Sequence, residues 1–424
     1  MLDRNFIREN PEKVKKACRE KNISLDIDKI LNLDEKRISL LQEVEALRCE
    51  KNKLGRDSIE KARKLKKEIQ ELEPKLDQTE EELDKLLSKV PNIPLDDVPF
   101  GKDETENKKI REWGKPTKFD FEPKDHLDLG EKLNLIDVKR AAKVTGSRFS
   151  YIKGKLAFLE VALINFVFET LTSKKIIKKI AQSIDKNYST KTFNPVFPPV
   201  MIRPESYRRM ARLSPEVEDE RYHLEKDDLY LIGSAEHTLG SMHMDERISH
   251  KKFPIRYLGF STSFRREAGS YGKDKRGIFR VHQFDKLEME SFTLPENSFK
   301  EHRFLVKIQE YLMQSLNLPY RVMLVCTGDM GTPDARQVDI ETWLPGQDKY
   351  RETHSADLMR DYQARRLNTR FKKGGDLEFV HTNDATAFAI GRTLIAIMEN
   401  YQQEDGSIKV PEVLQKYVNF KKID

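Results

Sequence analysis

Apolar residues recur at heptad spacing between Leu33 and Val90 in two series: Leu33, Leu40, Val44, Leu47 and Leu54, then Leu65, Ile69, Leu72, Leu76, Leu83, Leu86 and Val90. Side chains spaced this way share one helix face and pair it with another helix. Between the series, Gly55-Arg56-Asp57-Ser58 offers a glycine to end one helix and Asp57, with Glu60 behind it, to cap the next. An antiparallel helical hairpin over about 33–90 is expected, projecting on the order of 40 Å at ~1.5 Å per residue. Pro74 falls inside the second helix and is expected to kink or locally open it. Beyond Val90, Pro91-Asn92-Ile93-Pro94 and the polar stretch through Lys109 break the period. A boundary is therefore expected there, giving domains 1–108 and 109–424.

From Trp113 onward the pattern changes. Runs such as Tyr257-Leu258-Gly259-Phe260 and Tyr320 to Val325 read as strands, and Lys155 to Thr172 as a helix. Strands grouped between helices point to a mostly antiparallel mixed sheet, so the fold class is α+β. A chain of 424 residues is long enough for two or three such domains.

Charge sharpens the reading of the hairpin. The net charge of +6 is small against 77 basic and 71 acidic residues, so a polyanion would have to meet a local patch. Arg48, Lys51, Lys53, Arg56, Lys61, Arg63, Lys64, Lys66 and Lys67 crowd the tip, whereas Glu71, Glu73, Asp77, Glu80, Glu81 and Glu82 lie nearer the base. A basic tip on an acidic stem suits a nucleic-acid backbone. The alternative is that these are the solvated faces of a coiled coil, or that the hairpin only dimerises. Cys18, Cys49 and Cys326 are too far apart in sequence for a short metal-ligand spacing or a disulfide framework. Together with the lack of a signal-like start or a membrane-length apolar run, they lead us to expect a soluble, cytoplasmic protein with no membrane partner.

No glycine-rich phosphate loop is present, so a nucleotide would have to be held by side chains. Candidates lie in Phe264-Arg265-Arg266-Glu267-Ala268-Gly269 and in Gly277 to Glu288, read as strand, loop, strand with arginines at both ends. Guanidinium forks match phosphate oxygens and stabilise charge on a transferred group, so Arg265 and Arg280 could flank a triphosphate. Arg392 opens a further apolar helix, expected from Thr393 to Tyr401.

These residues resemble the three signatures of class II aminoacyl-tRNA synthetases: Phe193 to Ile202, Phe264 to Glu288 and His381 to Tyr401. The resemblance to the seryl-tRNA synthetases is closer and runs from Met1-Leu2-Asp3 to Val410-Pro411-Glu412-Val413-Leu414. It includes Leu129-Gly130-Glu131, Thr145-Gly146-Ser147-Arg148-Phe149, Thr327-Gly328-Asp329-Met330-Gly331, Tyr350-Arg351-Glu352 and Gln363-Ala364-Arg365-Arg366. It implies a class II catalytic domain following a tRNA-binding hairpin. That enzyme activates L-serine with ATP and transfers it to tRNA(Ser), with charging of tRNA(Sec) left open, and works as a homodimer.

The resemblance also implies roles. Ser234-Ala235-Glu236 stands for the usual Thr-Ala-Glu triplet of the serine pocket, which Arg265, Glu288, Asp384 and Thr386 complete. ATP would meet Arg265, Arg266, Glu267, Arg280, Val281, Phe284, Glu352, Thr353, His354, Ser355 and Arg392. Arg265, Glu267 and Arg392 carry the chemistry, and Mg²⁺ sits near Glu352 and Ser355. Three stretches depart from the family pattern. Thr382-Asn383-Asp384-Ala385-Thr386-Ala387 replaces Thr-Leu-Asn-Gly-Ser-Gly, Thr353-His354-Ser355-Ala356-Asp357 stands for Ser-Ser-Cys-Ser-Asn, and Ala211 to Asp219 has no match to the usual Gly-Thr-Gly-Gln-Leu-Pro. Two rival readings are a relative that loads a small amino acid onto a carrier protein and a non-catalytic tRNA-binding relative. The first usually loses the arm, and the second should have lost Arg265, Glu267 or Arg392.

Overall fold

The structure is a computed structural model and describes residues 1–54, 58–267 and 277–424. The chain divides into two units, Met1–Ile93 and Pro94–Asp424. In the first, α1 (Ile27–Asn52) and α2 (Ile59–Leu87) bury Val44, Leu65, Ile69, Leu76 and Leu83. Ion pairs from Lys29 to Glu82, Arg48 to Glu73 and Lys61 to Glu50 run in opposite order along the two helices, which makes the hairpin antiparallel. Asp26 caps α1 by accepting from the Lys29 amide at 2.9 Å. Gly55, Arg56 and Asp57, the expected turn and cap, lie outside the described residues. α2 continues through Pro74 without a break. That position is exposed, where a carbonyl freed by proline can be solvated. At the base, buried Asp34 takes Arg8 at 2.5 Å and Arg37 at 3.0 Å.

The second unit is built on an eight-stranded sheet. Its strands are β1 (Lys108–Trp113), β2 (Asn194–Val196), β3 (Ile255–Phe264), β4 (Gln283–Thr293), β5 (Tyr320–Leu324), β6 (Arg336–Leu344), β7 (Lys349–Arg360) and β8 (His381–Ala389). Their order is β1-β5-β6-β7-β8-β4-β3-β2, antiparallel throughout except for the β2–β3 pair. Helices α3 (Gly154–Thr172), α4 (Ser298–Ser315) and α5 (Ile390–Asn400) contribute to the main core. α5 begins three residues before the expected start, which places Arg392 in its first turn.

The break between the units falls at Ile93/Pro94 rather than near residue 108. The residues after Pro94 have little regular structure but are bonded into the second unit. The Leu95 amide donates to Ala335 O at 2.9 Å and the Gly328 amide to Gly101 O at 3.0 Å. Arg336 reaches Asp97 at 2.9 Å, and the Cys326 amide donates to Asn107 Oδ1 at 2.8 Å. Loss of periodicity marks the end of the hairpin, but it does not say to which core the following chain is tied.

Two irregularities in the sheet decide which side chains share a face. Pairing between β4 and β8 skips Ala387, and pairing between β6 and β7 skips Thr353. Each extra residue shifts the alternation of faces by one, as a bulge does. Thr386 and Ala389 therefore lie on the same side although three residues apart, and so do Glu352 and Ser355. Behind them Gln309 of α4 donates its side-chain amide to Ser355 O at 2.7 Å and Thr386 O at 2.9 Å. One side chain thus ties both irregular strands to the core helix.

Candidate active site

The face defined by these bulges opens into a cavity of about 220 Å³. At one end lie Arg265, Arg280 and Arg392. Arg265, at the end of β3, donates Nε to Gly233 O at 3.1 Å and holds its guanidinium 5.3 Å from the centre of the Phe284 ring. Arg392 lies 3.2 Å from Glu352 Oε1 and donates to Glu352 O at 3.0 Å, with its guanidinium over the Phe279 ring. Burial would raise the Glu352 carboxyl, but Arg392 and Arg265 outweigh it and hold the group below its ordinary value. Arg280 is paired with Glu267, whose backbone sits in the left-handed region at φ 52° and whose carbonyl accepts from Arg148 at 2.5 Å. This end can take a polyanion against an aromatic face.

The other end is a floor of acids. Lys286, Glu288 and Glu290 alternate along β4 and so share one face. Glu288 pairs across with Thr386 and Glu290 with Asp384. Lys286 Nζ lies 2.6 Å from Glu288, 4.0 Å from Glu236 and 2.9 Å from Ser234 Oγ. Burial pushes Glu288 up to about 8; Lys286 opposes this and Glu236 adds to it. Burial also opposes charge on Glu236, yet Lys286, His237 and Arg212 outweigh it and keep that carboxyl low. The Lys286 ammonium is pulled down by burial but ends above its ordinary value because Glu288 and Glu236 face it. Burial and then Asp384 raise Glu290 strongly, and among the described residues neither of its carboxyl oxygens has a hydrogen-bond partner.

Of the residues singled out from sequence, Glu236, Arg265, Glu267, Arg280, Val281, Phe284, Glu288, Glu352, Thr353, Ser355, Asp384, Thr386 and Arg392 line this one cavity. Ser234, Ala235, Arg266 and His354 do not. Ser234 acts from behind, through Lys286. Ala235 packs in a small core with Leu239 and Tyr257. Arg266 donates to Arg221 O at 2.9 Å and lies over Tyr222. His354 is buried on the opposite face against Phe388, 2.8 Å from Thr353 Oγ1, because alternation turns it away from Ser355. Arg212, Lys286 and Asp357 line the cavity and were not foreseen. The signal for Lys286 was available: it stands two positions before Glu288 and so on the same face of β4.

On the hairpin, Arg48, Lys51, Lys53, Lys61, Arg63, Lys64, Lys66 and Lys67 are all exposed. Arg48, Lys61 and Lys64 make surface ion pairs with Glu73, Glu50 and Glu68. Arg56 lies outside the described residues. No single described helix is long and apolar enough to cross a membrane.

Sequence models of two families match the chain. The tRNA synthetase class II core domain (G, H, P, S and T) matches residues 217–401, and the seryl-tRNA synthetase N-terminal domain matches residues 1–94. The serine--tRNA ligase of Thermodesulfovibrio yellowstonii is 43% identical over 99% of both chains, and that of Symbiobacterium thermophilum 42% over all of both. The structure of seryl-tRNA synthetase from Pyrococcus horikoshii complexed with ATP superposes with a TM-score of 0.90 at 39% identity, covering 100% of this chain and 99% of that one. The cytoplasmic serine-tRNA ligase of Naegleria fowleri in complex with AMP gives 0.87 at 31%, with the same coverage. With both units matched and relatives of this identity along the whole length, the chain belongs to the seryl-tRNA synthetase family, the serine--tRNA ligases of class II.

Proposed function

We infer that the protein activates L-serine with ATP and esterifies it onto the 3′ end of tRNA(Ser). The observation that carries this is one cavity that gathers Arg265, Arg280 and Arg392, the first of them over Phe284, with Glu236, Glu288 and Thr386. Adenine lies against Phe284, and the phosphates meet Arg265, Arg280 and Arg392. The serine ammonium faces Glu236, its hydroxyl donates to Glu288, and its carboxylate lies by Arg265. The carboxylate attacks the α-phosphorus and pyrophosphate leaves, giving seryl-adenylate. The terminal ribose hydroxyl of tRNA then attacks the acyl carbon and releases AMP. Positioning and fixed positive charge carry both steps.

Glu352 and Ser355 would hold Mg²⁺, which would neutralise phosphate charge when bound. Their oxygens suit a hard cation. Among the described residues no group of three or more His, Cys, Asp or Glu could hold a metal ion. The basic hairpin tip grips the tRNA body, with tRNA(Sec) left open as a second substrate. Exposed Phe158, Val161 and Phe197 support a homodimer, and a cytoplasmic location fits the free cysteines. The two rivals lose ground: the arm is kept, and Arg265, Glu267 and Arg392 share the cavity. ATP–pyrophosphate exchange with each common amino acid tests the reading. Serine should support the fastest exchange, and faster exchange with alanine or threonine would overturn it.

A further inference from the structure

The three stretches that depart from the family pattern meet in space. Arg212, from Ala211 to Asp219, places Nη2 2.9 Å from Oδ2 of Asp384 and 3.3 Å from Oδ2 of Asp357, one in each of the other two. A carboxylate standing where an amide is usual is thus matched by a guanidinium from another departing stretch. That match uses one nitrogen. Among the described residues Nε has no hydrogen-bond partner, and the side chain, 17% exposed, lines the cavity.

The position along the floor gives the spare donors a use. Thr386 pairs with Glu288, and one step further from Arg392 Asp384 pairs with Glu290. Arg212 therefore closes the end of the cavity remote from the phosphate-side arginines. A serine whose carboxylate faces Arg265 extends its side chain toward this end. A hydroxyl both donates and accepts, and Glu288 uses only its proton.

We propose that Arg212 is a specificity-determining residue, anchored by Asp384 and Asp357, that donates a hydrogen bond to the side-chain oxygen of bound serine. The proposal rests on the reading of the cavity as serine-activating. Alanine in the same place leaves one donor of Arg212 and one acceptor of Glu288 unused, the kind of loss that discriminates strongly.

Arg212→Met combined with Asp384→Asn removes the guanidinium without stranding the Asp384 carboxylate, while Asp357 keeps the hydrogen bond from Ser355 Oγ at 3.0 Å. Arg212→Lys keeps a cation on Asp384 but removes the planar fork. In pyrophosphate exchange, the ratio of kcat/KM for serine to that for alanine should fall about 10- to 100-fold in the double variant, the range of a hydrogen bond to a charged group. It should fall several-fold in Arg212→Lys. Both losses should appear in KM for serine, with KM for ATP unchanged. A merely structural role would lower serine and alanine exchange together, or raise both KM values, and either result overturns the proposal. So does a ratio within twofold of wild type in Arg212→Lys, which decides the matter if the double variant does not fold. A wild-type protein that fails to prefer serine would instead sink the parent reading.

Discussion

Replacing Lys286 by Met tests the electrostatics of the acid floor, because it keeps the length of the stem and removes only the ammonium. At 2.6 Å from Glu288 and 4.0 Å from Glu236, its attractions come to about 6 and about 4 kcal/mol at an effective dielectric of ~20. Relief of the ammonium's own desolvation returns several kcal/mol, leaving a net cost of ~3–5 kcal/mol for breaking a buried pair. That cost depends on pH. Glu288 sits at about 8 in the folded protein against an ordinary 4.5. A carboxyl raised on folding contributes stability that is fully present below its unfolded value and is lost as pH rises through its folded value. In the wild type this loss runs from about pH 4.5 to about pH 8; without Lys286 the Glu288 carboxyl rises further and the loss deepens. Urea unfolding followed by tryptophan fluorescence reads the catalytic unit alone, since Trp113 and Trp343 both belong to it. The variant should lose ~3–5 kcal/mol at pH 9 and measurably less at pH 5, where Glu288 holds a proton and only the attraction to Glu236 is lost. An equal loss at both pH values would refute the account of Glu288 and Lys286 as one titrating unit.

Arg392→Ala should lower adenylate formation by ~3 kcal/mol or more in transition-state stabilisation, with an unchanged melting curve; near-normal pyrophosphate exchange would show that the arginine was misassigned. Replacing Lys51, Lys53, Arg63, Lys66 and Lys67 by Gln should leave serine activation intact, weaken tRNA binding and flatten its dependence on salt. Equal charging of tRNA by this variant and wild type at matched salt would make the basic tip a solvated face. Arg256, wholly buried and bidentate to Glu301 at 2.7 and 2.9 Å, should cost ~3–5 kcal/mol of stability when truncated to Ala, whereas Arg256→Met with Glu301→Leu should cost less. Urea denaturation of the single and double variants measures both, and a double variant no more stable than the single would contradict the desolvation argument.

The hairpin was legible because a heptad pattern has one reading and its partner is next in sequence. The sheet was legible only as strands: its order joins β4 to β8 and β1 to β5, pairs that no local pattern encodes. Most of the cavity lining was legible through its arginines and acids, and the misplacing of His354 has a plain source. Alternation along β7 cannot bring Thr353, His354 and Ser355 to one face, and the bulge that recruits Glu352 leaves His354 in the core. Arg212 could not be foreseen, since its partners Asp384 and Asp357 are more than a hundred residues away and its own stretch matched no motif.

Gln309 makes the site vulnerable from behind. Its amide is the common tether of the strand segments that carry Ser355 and Thr386, yet it lies on the core side of the sheet. Substitutions there would displace both strand segments at once without altering a single side chain that lines the cavity. The pocket's two halves are mechanically one object, and a screen confined to its visible walls would overlook the residue that keeps them in step.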